Sequence, residues 1–147
     1  MTDFPCCDEM THHEPEDGFI PFEVVLRFEH TRPPVSMNDR LHHMVKAKKV
    51  AAMRLEAAVA AHRIPPLGRC EVTLTWFVVT KARRDDENPV PSLKAWCDGL
   101  VDAGVVEDDT NVFMKKNMPI IQWIDKKTDV AHFELRITKL PKGMSTK

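Results

Sequence analysis

Two short acidic runs hold the densest clusters of potentially reactive side chains in the sequence. The first reads Arg83-Arg84-Asp85-Asp86-Glu87-Asn88 and the second Glu107-Asp108-Asp109-Thr110. Ionised carboxylates are acceptor-only oxygen ligands. Asp85 and Glu87, two positions apart, share one side of any extended backbone, with Asp86 pointing away. If the second run folds back beside the first, Asp85, Glu87 and Asp109 bring three negative charges together, and these repel unless protons or a cation neutralise them. Mg²⁺ suits such a set, because it takes a few carboxylates and keeps several waters; Mn²⁺ is a possible substitute. An ion held there polarises a phosphodiester and lowers the pKa of an attacking water. Taken singly, each run reads more readily as a solvated turn than as a metal site.

The segment between the runs adds a second signal. Lys94, Asp98 and Asp102 stand at i, i+4 and i+8, one polar stripe of a helix whose other side is Leu93, Trp96, Cys97, Leu100 and Val101. Ser92 is the expected N-cap and Gly104 the C-terminal stop. A helix of roughly 15–18 Å can pack back on a sheet and bring the two runs towards each other. Lys94 in its first turn and Asp102 in its last each oppose the macrodipole, at about 0.3–1 kcal/mol. A charge set against local preference invites a functional explanation: Lys94 can stabilise charge on a phosphoryl group, with Asp98 orienting it.

The elements around this helix are legible from periodicity. Phe22, Val24, Leu26 and Phe28 alternate with Glu23, Arg27 and Glu29, as in a half-buried strand. Pro33-Pro34 ends it, and Ser36 or Asn38 is positioned to cap a long helix running to about His62. Its apolar stripe is Leu41, Met44, Val45, Ala51, Ala52, Leu55, Ala58 and Val59, with Lys48 falling inside it. After the break Pro65-Pro66-Leu67-Gly68, Cys70 to Thr80 alternates strongly. Val112 to Ile124 is strand material interrupted by Pro119, and Ala131 to Ile137 alternates again. The expected fold is therefore α+β: a single domain in the order β-α-β-α-β-β, a mixed sheet packed by two helices.

Composition bounds the rest. The 147 residues, 43% hydrophobic and 29% charged, fit one soluble globular domain with a sizeable core. No apolar run reaches the roughly 18 residues of a membrane span, and the N-terminus lacks the blocks of a secretory signal, so the expected location is the cytoplasm. Cys6, Cys7, Cys70 and Cys97 make a poor disulfide framework and are read as reduced thiols. Residues 1–18 carry six acids and no Lys or Arg and are read as an acidic flexible tail. With net charge −1 for the whole chain, residues 19–147 then carry about +5. Arg40, Lys46, Lys48, Lys49, Arg54, Arg83 and Arg84 are candidate phosphate contacts; a solvated helix face accounts for the lysines as well. Cys6-Cys7 with His12-His13 lacks the spacing of a zinc site. Trp76, Trp96 and Trp123 read as core or interface residues, unless an exposed ring stacks on an opened base. The sequence contains no Walker loop, dinucleotide fingerprint or HExxH motif.

Residues 84–109 resemble the signature of the RusA family of Holliday-junction resolvases. That signature runs Arg-Asp-x-Asp-Asn, then Lys, then x-x-x-Asp-x-Leu, Ala-Gly and Asp-Asp. Here it stands as Arg84-Asp85-Asp86-Glu87-Asn88, Lys94, Asp98-Gly99-Leu100, Ala103-Gly104 and Asp108-Asp109. The segment Ser36-Met37-Asn38-Asp39-Arg40-Leu41-His42 is similar to the family's lead into its first helix, and the resemblance spans about residues 20–140. It implies that Asp85, Glu87 and Asp109 are the metal-binding acids and Lys94 the active-site lysine. It also implies a homodimer that nicks four-way DNA junctions in pairs, often phage- or prophage-encoded. The chain differs in having Glu87 for the usual Asp, one methylene longer, and in the extra residues around Pro89 and Pro91. The expectation is a Mg²⁺-dependent endonuclease acting on branched DNA. The alternatives are a non-catalytic branched-DNA-binding protein on the same scaffold and a protein-interaction module.

Overall fold

The computed structural model describes residues 21–141; residues 1–18, with Cys6-Cys7 and His12-His13, lie outside them. The elements run β1 (Glu23–Phe28), α1 (His43–Ala60), β2 (Cys70–Val78), α2 (Val90–Asp102), β3 (Met114–Lys116), β4 (Ile120–Trp123) and β5 (His132–Lys139). The fold is α+β, a five-stranded mixed sheet with two helices, in the expected order. The stretch read as interrupted strand material is two short strands. Pro119, which has no N–H for a ladder, falls in the gap between them.

β2 organises the sheet. It pairs antiparallel with β5, which pairs antiparallel with β1, and its other edge takes β3 and β4 in parallel. Its strict alternation places Cys70, Val72, Leu74, Trp76 and Val78 in the core. Phe133, Leu135 and Ile137 of β5 lie beside them, and Leu26 and Phe28 of β1 complete that face. Trp96 of α2 stacks on Phe28 with centroids 4.5 Å apart. Among the described residues no helix is long and apolar enough to cross a membrane. Cys70 and Cys97 are buried free thiols; burial pushes Cys70 up to about 12 and raises Cys97 as well.

Three local expectations need correction. Ser92 is not a cap: α2 begins at Val90 after Pro89, and the buried Ser92 hydroxyl donates to the Val35 carbonyl at 2.6 Å and accepts from the Val35 amide at 3.1 Å. Neither Ser36 nor Asn38 caps α1. The amide and hydroxyl of Ser36 are both donated to Asp39, and α1 starts after His42, whose Nδ1 accepts from the Met44 amide. Finally, the stripe assigned to the core of α1 faces outwards. Met44, Leu55 and Val59 are 59%, 65% and 61% exposed, whereas Met53 and Ala57 are buried. α1 has two apolar faces, and the one carrying Met53 and Ala57 packs inwards, with the small Ala57 where α2 comes closest. A Cβ on Gly99 would lie 2.4 Å from the Arg54 carbonyl oxygen and 2.6 Å from the Ala57 Cβ, which leaves no room for large side chains at the crossing.

Candidate active site

The loop after β2 carries the first acidic run, and it does not remain extended. Glu87 N–H donates to Asp85 Oδ1 at 3.0 Å, Asn88 N–H to the Asp85 carbonyl at 3.1 Å, and Val90 N–H to the Glu87 carbonyl at 3.0 Å. This is the way Asp and Asn side chains commonly start turns. The chain therefore coils into α2 from Asp86 onwards, and the two-residue alternation that would align Asp85 with Glu87 is lost. Both carboxylates are exposed.

Lys94 lies in the second turn of α2, because the helix starts three residues earlier than expected, so it opposes the macrodipole less than the sequence implied. Its ammonium is 2.8 Å from Asp109 Oδ2 and 3.5 Å from Asp98 Oδ1. Gly104, at φ +84°, reverses the chain after α2 and returns Asp109 to this face. Two carboxylates thus share one ammonium. The Lys94 hydrogen bond holds Asp109 down at about 2. Burial, then the Asp109 contact, raises Asp98, and the bond to Asp109 raises Lys94. Lys116 of β3 donates to the Asp109 carbonyl and helps depress the Asp109 carboxyl. Sequence reasoning missed Lys116; the Lys115-Lys116 pair just beyond the acidic run was a signal, but nothing fixed which of the two turns back. Asp102 is held by Arg54 in a two-point contact at 3.0 and 2.8 Å. Its place at the helix end is thus explained by joining α1 to α2.

Asp85 and Asp86 line a groove of about 900 Å³ with Asn38, Arg83, Asn88 and Ile120. Pro119 borders this groove and also a smaller recess of about 230 Å³ lined by Val90, Leu93, Lys94 and Lys116. The segment ahead of α1 is clamped to the first acidic run: Asn38 Nδ2 donates to Asn88 Oδ1 at 3.0 Å, and Met37 N–H donates to the Asn88 carbonyl at 3.2 Å. The two segments on which the family resemblance rests are therefore neighbours in space.

Lys94, Asp98 and Asp109 come together; Asp85 and Glu87 do not join them. Among the described residues no group of three or more His, Cys, Asp or Glu side chains is placed to hold one metal ion. As placed, the expected Mg²⁺ ligands Asp85, Glu87 and Asp109 do not fit a shared ion. Physically, Asp109 already has Lys94 as its counter-charge, and Asp85 is turned onto its own loop.

The candidate phosphate contacts divide likewise. Arg40, Lys46, Lys48 and Arg83 are exposed. Lys49 reaches the Pro34 carbonyl at 3.5 Å. Arg84 is occupied locally: it donates to the Thr80 and Ala82 carbonyls and the Thr80 hydroxyl, and lies over the Trp76 ring. Arg54 is spent on Asp102. No protein-family model matches the chain, and no curated protein matches it.

Proposed function

We propose that this chain is a structure-selective DNA endonuclease that hydrolyses phosphodiesters at four-way junctions in recombination and repair. The observation that carries the reading is the Lys94 ammonium, 2.8 Å from Asp109 and 3.5 Å from Asp98. It stands across Pro119 from a groove that bears Arg83 and Asp85. A phosphodiester laid along this rim meets a fixed positive charge beside carboxylates, as stabilisation of phosphoryl charge requires. Arg40, Lys46 and Arg83, exposed around it, suit backbone phosphates, and their contribution weakens steeply with salt.

Mg²⁺, with Mn²⁺ as substitute, enters this proposal as a dependence to be measured. Because the three acids are not gathered round one point, no chemical step is assigned to the ion. A homodimer is part of the proposal, since paired nicks need two sites and closed two-fold symmetry supplies them. The outward stripe of α1 supports it. Met44, Leu55 and Val59 are exposed along it, an apolar surface that a second copy would cover.

The second reading is a non-catalytic branched-DNA-binding protein, and the separation of Asp85 and Glu87 from Asp109 favours it. A synthetic four-way junction, incubated with the full chain and Mg²⁺ or Mn²⁺, separates the two. The nuclease reading expects nicking, reduced about 100-fold or more by Asp109→Asn. Tight binding with no cleavage in either ion selects the second reading.

A further inference from the structure

The three indoles of the chain occupy different environments. Trp96 is fully buried and stacks on Phe28, and Trp76, 7% exposed, stacks on Phe133. Trp123, the last residue of β4, is 45% exposed. The Lys81 ammonium sits 4.6 Å from the centroid of its ring. Neither neighbour is there by core packing: among the described residues β4 pairs only with β2, and Lys81 is an exposed loop residue.

Their position is informative. Trp123 pairs with Val78, the end of β2, and Lys81 opens the loop that goes on to Arg83 and Asp85. Earlier in β4, Ile120 and Ile121 line the groove with Arg83 and Asp85. An accessible aromatic plane and a cation thus sit on the strand and the loop that also line this groove, which Pro119 separates from Lys94. In a continuous duplex every base is stacked between neighbours and offers no face to such a ring. At a branch point, or in a single strand, a base can leave the stack. Aromatic planes beside cations hold unstacked nucleotides, the ring taking the base and the cation the phosphate. Stacking of a base outweighs an exposed cation–π contact, so a base can replace the Lys81 ammonium on the ring while the ammonium turns to the phosphate.

We propose that Trp123 and Lys81 form a binding site for one unstacked nucleobase and its phosphate, by which the protein prefers branched DNA to continuous duplex. The inference rests on the reading above that branched DNA is the substrate, and it requires neither cleavage nor a bound metal.

The test uses the full chain without divalent ions, at fixed low salt, and reads tryptophan fluorescence while a four-way junction or a duplex of equal length is added. Trp96 is buried, and Trp76 lies under Arg84 of the groove, so the part of the emission change that Trp123→Ala removes is the part that reports Trp123. The expected result is quenching by the junction and little by the duplex. Trp123→Ala should abolish the quenching and weaken junction binding about tenfold, about 1.4 kcal/mol, so that junction and duplex affinities converge. Trp123→Phe, which keeps an aromatic plane, should retain most of the preference. Lys81→Gln should reduce the salt dependence of junction binding by about one ion. Junction binding without quenching, or an unchanged junction-to-duplex ratio in Trp123→Ala, overturns the site and leaves the nuclease reading standing. Quenching and selectivity without cleavage in Mg²⁺ or Mn²⁺ supports the site and removes the nuclease reading. Failure to bind any DNA overturns both.

Discussion

Replacing Ser92 with alanine isolates the contact that ties the pre-α1 segment to α2. The Ser92 hydroxyl is fully buried and serves both polar groups of Val35, itself 1% exposed. Removing the hydroxyl leaves a buried N–H and a buried C=O without their partner, at about 1–3 kcal/mol each. With some relaxation, the loss is about 2–4 kcal/mol. A capping serine, as the sequence alone implied, would cost about 1 kcal/mol, so the magnitude separates the two roles. For a chain of this length, Tm moves by roughly 3–4 °C per kcal/mol, a fall of roughly 6–16 °C. Urea unfolding followed by circular dichroism measures the free energy, and amide exchange of Val35 and Met37 should accelerate out of proportion to the rest of the sheet. A loss below about 1 kcal/mol with unchanged exchange at Val35 refutes the account. Val35 precedes the segment that places Asn38 on Asn88, so the same variant should loosen the clamp beside the candidate site.

Other outcomes follow from contacts elsewhere. Gly99→Ala sets a Cβ against the Arg54 carbonyl and should destabilise by about 1–3 kcal/mol in urea unfolding; a neutral result would mean that α1 and α2 separate freely. Asp109, depressed to about 2 from 3.8, contributes stability that is present above its unfolded pKa and lost as pH falls through its folded one. The profile of Tm between pH 4 and pH 2 should therefore be shallower in Asp109→Asn, and an unchanged slope would contradict the Lys94 pairing as the cause. Leu55→Lys places a charge in the outward stripe of α1 and should weaken self-association at least tenfold in sedimentation; a wild-type chain that is monomeric at tens of micromolar removes the dimer.

The sheet was legible because its pattern is enforced from one side only. Cys70 to Val78 buries every second residue, and the alternation in β1 and β5 has the same origin. α1 was misread because it carries apolar residues on two sides: periodicity picked out the side of Met44, Leu55 and Val59, while the helix packs inwards through Met53 and Ala57, with Ala57 meeting Gly99. Ser92 carried the residue type of a cap, but a tertiary partner 57 residues away in sequence uses its hydroxyl. At the site, the polar stripe of Lys94 and Asp98 and the return of Asp109 could be read from i, i+4 spacing and a glycine stop. The conformation of Asp85 to Asn88 could not, because an aspartate that bonds the amide two residues on turns the chain where alternation assumes it runs straight. Nothing local to either acidic run sets the distance between them.

The pairing of β1 with β5 has a consequence for synthesis in the cell. Phe28 registers against Phe133, and Arg27 bonds Asp129, 102 residues further along. β5 also lies between β1 and β2. A chain emerging from the ribosome therefore holds β1 unpaired through the synthesis of the roughly hundred residues that separate it from β5. Over that interval its alternating apolar side chains have no sheet to join, which makes nascent β1 a segment that needs shielding by a chaperone.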